Sequence, residues 1–196
     1  MSSPASPDAA RRGRLKLLLL AVFFAAPFAL AWLAYQFGWG TGAAGNYGTL
    51  VGPTVLPDVV LMTPDGKRVP TTELRGKWLL VQFDASRCDA YCERKLYYMR
   101  QVRRALGKDM DRVARLWLLT DGGTPPAATL IAVEGTEVLR SDNGRLAAVF
   151  GAPAQLADHI YLVDPMGNLM LRFPRDPDPS KMLKDLQRLL KYSQIG

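Results

Sequence analysis

Two cysteines and a single histidine are the residues in this chain whose side chains suit soft-metal or redox chemistry. Cys88 and Cys92 stand in the stretch Gly76 to Met99, GKWLLVQFDASRCDAYCERKLYYM. Trp78 to Phe83 is a short apolar run of large and β-branched side chains, which predicts a buried strand ending at Asp84, Ser86 and Arg87. A helix follows. Ser86 with Asp89 three residues on has the spacing of an N-terminal cap, and Tyr91, Lys95, Tyr98, Val102 and Leu106 recur at helical intervals toward Gly107. This puts both sulfurs at a first helical turn, where unpaired N–H groups and the positive end of the dipole favour thiolate.

A bond between these cysteines closes a very short loop, for which chain entropy gives about 2 kcal/mol against nearly 5 for a loop of about a hundred residues. As a staple it is weak. Four residues apart on a helical turn the Cα atoms lie about 6 Å from each other, so the bond can form and can also be reduced. A structural disulfide, a redox pair and a switchable site for a soft metal therefore all remain open readings.

The elements around this stretch are read from the same patterns. Residues 1–16 form a basic tail, with Arg11, Arg12, Arg14 and Lys16 against Asp8, and the small polar residues at its start predict disorder. Residues 17–37, LLLLAVFFAAPFALAWLAYQF, carry no charge and are long enough for one transmembrane helix. Basic residues precede this segment and no charge follows until Asp58, which predicts a cytoplasmic N-terminus and an exported remainder. Ala29-Leu30-Ala31 keeps a cleaved signal peptide as the alternative, but the apolar stretch exceeds the core typical of one. Residues 38–57, glycine-rich and uncharged, predict a flexible tether, and residues 58–196 the exported domain.

Of the net charge of +7, the tail supplies +3 and leaves +4 for the rest. No recognition motif accompanies the basic residues of the cysteine helix, so they read as a solvated face and nucleic acid is excluded as a partner. In the domain, Val59 to Met62 and Lys67 to Val69 flank a Thr63-Pro64-Asp65-Gly66 turn as a hairpin, and Val113 to Leu119 reads as a second buried strand. Ala127 to Glu134 and Leu146 to Phe150 read as short helices, with Glu137 to Arg140 extended between them. Ile160 to Val163 and Leu169 to Phe173 make a second hairpin, and Lys181 to Tyr192 a terminal amphipathic helix. This order argues an α/β, thioredoxin-like fold, a mixed central sheet flanked by helices and preceded by one N-terminal transmembrane helix.

The pairing of PDGKRV and LRGKWLLVQF with the C-x3-C segment, and an Asp-His just before YLVDPMGN, resembles the Sco/SenC group of membrane-anchored copper proteins that assist cytochrome c oxidase assembly. The resemblance covers roughly residues 56–192. The chain departs from the family in carrying Glu93, where proline is usual, directly after the second cysteine.

The resemblance implies one copper per domain, as Cu(I) or Cu(II), held by Cys88, Cys92 and His159. It also implies an inner membrane location with the domain in the periplasm. The partners would be the copper-site subunit of a respiratory oxidase and a periplasmic dithiol reductant. Thiolates select Cu(I) by softness, whereas tetrahedral zinc would have to recruit a carboxylate such as Asp89 or Asp158. His159 reads equally well as an ordinary residue hydrogen-bonded at a strand entrance. Two rivals to copper handling stand: a periplasmic thiol-disulfide oxidoreductase with Cys88 and Cys92 as catalytic redox pair, and a redox-inactive assembly scaffold. Hydrolase and kinase chemistry is excluded by the missing phosphate loop and nucleophile elbow.

Overall fold

The computed structural model of the protein describes residues 7–37, 45–140 and 144–195. The chain divides into two units, Met1–Gly45 and Asn46–Gly196. In the first, helix α1 runs Pro7–Gln36, and its segment Arg11–Gln36, of mean hydropathy 2.4, is long and apolar enough to anchor the chain by a single membrane pass. The helix starts well ahead of Leu17, inside the tail expected to be disordered. Pro7 suits a first helical position, and Ala9 and Ala10 propagate the helix toward the apolar run. Pro27 lies inside α1 without ending it. Residues 38–44, the first part of the glycine-rich stretch expected as a tether, lie outside the described residues.

The second unit holds an eight-stranded mixed sheet of order β1-β8-β7-β4-β5-β6-β2-β3. Its strands in chain order are β1 Thr49–Val55, β2 Val60–Met62, β3 Arg68–Pro70, β4 Trp78–Asp84, β5 Val113–Leu119, β6 Thr136–Arg140, β7 Ile160–Val163 and β8 Asn168–Arg172. Its helices are α2 Ala90–Ala105, α3 Ala127–Ala132, α4 Arg145–Phe150, α5 Pro153–Leu156 and α6 Pro179–Tyr192. Strands β4, β5 and β6 are parallel, while β7 runs antiparallel to β4 and β8 to β7. Both expected hairpins form, as β2 with β3 and β7 with β8.

Alternation along the central strands splits the core in two. Leu80, Trp117, Ile160 and Leu162 face α2 and α6, packing against Met99, Val102, Met182 and Leu186. Val81, Phe83, Leu118 and Tyr161 face the other way, onto Leu146, Phe150 and Leu156 of α4 and α5. There Phe83, Phe150 and Tyr161 meet edge to face, with centroids 4.9 to 5.8 Å apart.

Two elements depart from expectation. Thr49–Val55, read as tether, is edge strand β1. Gly52 and Pro53 break the alternation that would reveal a strand, and they fall in the irregularity between Leu50 and Thr54, the kind of edge position that tolerates proline. Just before β1, the buried carboxylate of Asp185 in α6 accepts the N–H groups of Tyr47 and Gly48 at 3.0 and 2.8 Å. Helix α5 was the other unread element, starting at Pro153.

Candidate functional site

Strand β4 ends at Asp84, and the chain turns through residues 85–89 into α2. Asp89 is the N-cap, accepting from the N–H groups of Tyr91 at 3.0 Å and Cys92 at 2.8 Å. Ser86, the expected cap, is engaged elsewhere. Its backbone N–H and hydroxyl donate to the Asp121 carboxylate at 3.0 and 2.9 Å, which ties this turn to the loop after β5. Cys88 therefore precedes the helix, and only Cys92 lies in the first turn.

The two cysteines are joined as a disulfide with Cα atoms 5.3 Å apart. The pair is asymmetric. Cys88 is half-buried, whereas Cys92 is 1% exposed and its Sγ receives the Gln82 side-chain amide at 3.6 Å. Gln82 and Asp84 share one face of β4, the face α2 covers, and polar groups there need partners. Lys95, fully buried one turn after Cys92, supplies one: its Nζ lies 2.7 Å from Asp84 Oδ2 and donates also to the Ala157 carbonyl. Burial raises the Asp84 carboxyl to about 6, with Lys95 pulling the other way.

Sequence reasoning missed this pair, although Lys95 falls on the helical stripe with Cys92, Leu96, Met99 and Val102, all buried. A cation on an apolar stripe opposite a polar residue in a buried strand was the available signal. Tyr91 closes the site from the side. Its hydroxyl donates to the Asp158 carbonyl at 2.9 Å, so α2 grips the backbone at both 157 and 158.

His159 comes next in the chain. Its Nδ1 lies 2.8 Å from the Phe173 carbonyl, so that nitrogen carries the proton and donates, and Nε2 is left as the acceptor. Burial foremost, with Arg172 and Lys95, lowers its pKa against the opposing pull of the Phe173 carbonyl and Asp158, which favours neutral imidazole. The ring packs edge to face on Tyr161, with centroids 6.0 Å apart. Tyr161 belongs to the core opposite the one that holds Cys92 and Ile160. Among the described residues no three His, Cys, Asp or Glu side chains are gathered as a metal group. After reduction, Cys88 and Cys92 alone are a donor set of two adjacent thiolates, which fits a soft monovalent ion.

Fold and dithiol turn together define a thioredoxin-like protein with its disulfide at a strand-to-helix junction. The family model described as "Transmembrane-like, thioredoxin-like, C-terminal domain" matches residues 78–193, and the chain belongs to that family. Comparison with curated proteins gives no match. Among solved structures, the chain is similar to Bradyrhizobium japonicum ScoI with copper bound, at 26% identity and TM-score 0.53, covering 69% of this chain and 99% of that one. It is also similar to yeast Sco1 with copper bound, at 16% identity and TM-score 0.60, covering 73% and 96%. A putative protein disulfide isomerase from Bacteroides thetaiotaomicron matches at 20% identity and TM-score 0.51, covering 70% and 88%. The resemblance to Sco/SenC proteins is borne out by the ScoI and Sco1 neighbours.

Proposed function

We propose that this is a membrane-anchored, Sco-like protein whose reduced Cys88 and Cys92 take up one Cu(I) per domain in the service of assembling a respiratory oxidase copper site. The domain lies in the periplasm and the N-terminus in the cytoplasm, a reading supported by the basic residues ahead of α1. The observation that carries the proposal is the disulfide at the turn into α2, which places two sulfurs within bonding distance of each other. Copper-bound Sco neighbours support the choice of metal. With Nδ1 of His159 engaged by Phe173, the sulfurs are the primary ligands and His159 is at most a third through Nε2. Oxidation to the disulfide withdraws both thiolates, so copper affinity follows redox state.

The asymmetry of the sulfurs also favours a second reading, thiol-disulfide exchange. The Cys88–Cys92 dithiol would pass two electrons and two protons to a partner disulfide, which becomes a dithiol, while the disulfide of this chain forms. A reductant of the periplasmic dithiol class would restore the pair. A competitive Cu(I) titration of the reduced full chain distinguishes the readings. Tight one-to-one binding lost in Cys88→Ser supports copper handling, and equally weak binding by wild type and variant rejects it. Partner cysteines trapped as mixed disulfides by Cys92→Ser would then support exchange.

A further inference from the structure

Away from the disulfide, the other flank of α2 carries a cluster of cations, of which Arg103 is paired with Asp111. A groove of about 410 Å³ runs between α2 and α3, over β5, and its volume falls within the range of small-molecule sites. Glu93, Leu96, Tyr97 and Arg100 of α2 line one side, at the spacing of a single helix face. Ala132 and Val133 line the other. Arg115 of β5 lies at the base of the groove, at 5% exposure on the sheet face that α2 covers.

A buried guanidinium normally has its donors matched. Here Nη2 donates to the Glu134 carbonyl at 2.8 Å, while Nε is buried with no partner. No carboxylate pairs with Arg115 among the described residues, and the charges that act on it are cations. Arg100 and Arg103 line the adjoining hollow with it, and burial first, then Arg103 and Arg100, lower its hold on its proton. Arg103 is occupied, donating to the Val113 carbonyl at 2.7 Å and to Asp111 at 3.0 Å. Arg100 is exposed and makes no hydrogen bond or ion pair among the described residues. Glu93, at the rim, pairs with neither. Two guanidinium groups thus line a groove whose other walls are mostly apolar, Leu96, Ala128, Ala132 and Val133, with Glu93, Tyr97 and Thr129 as the remaining polar lining.

We propose that this groove binds a small organic anion, a carboxylate carried on a short apolar stem. The carboxylate sits on Arg115 and Arg100, whose planar donor forks match its oxygens, and the stem lies along Leu96, Ala132 and Val133. The anion supplies the missing partner of a buried cation, and the stem displaces water from apolar walls. This inference does not depend on what the cysteines do.

Equilibrium dialysis of the full chain in detergent micelles against radiolabelled hexanoate, with empty micelles as blank, tests it. One saturable site is expected. Arg100→Gln, at the exposed rim where folding is not at risk, should weaken it about tenfold, the loss of one charge-assisted hydrogen-bonded contact. Arg115→Met should abolish it, and hexan-1-ol should not compete. Uptake that fails to saturate, persists unchanged in Arg100→Gln, or is displaced equally by hexan-1-ol overturns the proposal.

Discussion

Replacing Lys95 with methionine probes the charges buried under the disulfide. The side chain keeps most of its length, while the ammonium 2.7 Å from Asp84 Oδ2 disappears and the Ala157 carbonyl loses its donor. Removing one partner of a buried ion pair costs about 3–5 kcal/mol, because the other charge stays without compensation. The loss must depend on pH. Burial raises Asp84 from 3.8 to about 6 even with Lys95 present, so folding takes up a proton between those values. That contribution is fully present below pH 3.8 and is lost as pH rises through about 6, by at most about 3 kcal/mol.

Without Lys95 the carboxyl rises further, and the variant differs most from wild type where wild-type Asp84 is ionised and paired. Urea unfolding of the full chain in micelles, followed by near-ultraviolet circular dichroism, should give a loss of about 3 kcal/mol at about pH 8 and less than about 1 at about pH 5. Adding Asp84→Leu should restore most of the loss at the higher pH, since a buried pair replaced on both sides leaves no orphan charge. An equal loss at both pH values, or no recovery in the double variant, refutes the reasoning.

Asp89→Ala should cost about 1 kcal/mol in the same assay by leaving the Tyr91 and Cys92 N–H groups uncapped; a neutral result contradicts its role as cap. After gentle reduction, iodoacetamide followed by peptide mass spectrometry should label Cys88 about tenfold faster than Cys92, which is 1% exposed. Equal labelling would mean the buried sulfur is as open as its partner.

Much of the fold was legible because period and punctuation agreed. The β7 and β8 runs flank Asp164-Pro165-Met166-Gly167, and Asp164 accepts the N–H groups of Met166 and Asn168 at 2.9 and 2.8 Å as such a turn should. The terminal helix announced itself through Met182, Leu186 and Leu190, which are buried. What failed depended on three-dimensional context. Ser86 and Asp89 both have the chemistry of a cap, and the choice falls to Asp89 because Asp121, 35 residues on, holds Ser86. Lys95 was read with the solvated charges because its partner, Asp84, lies in another element. The two cysteines were legible from their spacing, whereas the place of His159 follows from which face of the sheet β7 presents to α2. A strand has two faces, and sequence alternation alone does not say which one meets a given helix.

The dithiol turn is positioned by contacts besides the bond between its sulfurs. Ser86 is held by Asp121, the first turn of α2 by Asp89, and the 157–158 backbone by Lys95 and Tyr91. The disulfide itself closes so short a loop that it contributes only about 2 kcal/mol to folding. Breaking it therefore leaves two thiols on a turn already fixed from three sides, with little conformational entropy released. Exchange with another thiol and capture of a soft ion make the same demand, since each needs the sulfurs to part without losing their relative position. A staple would be built the other way, with a long loop and few contacts besides the bond, and this turn has neither.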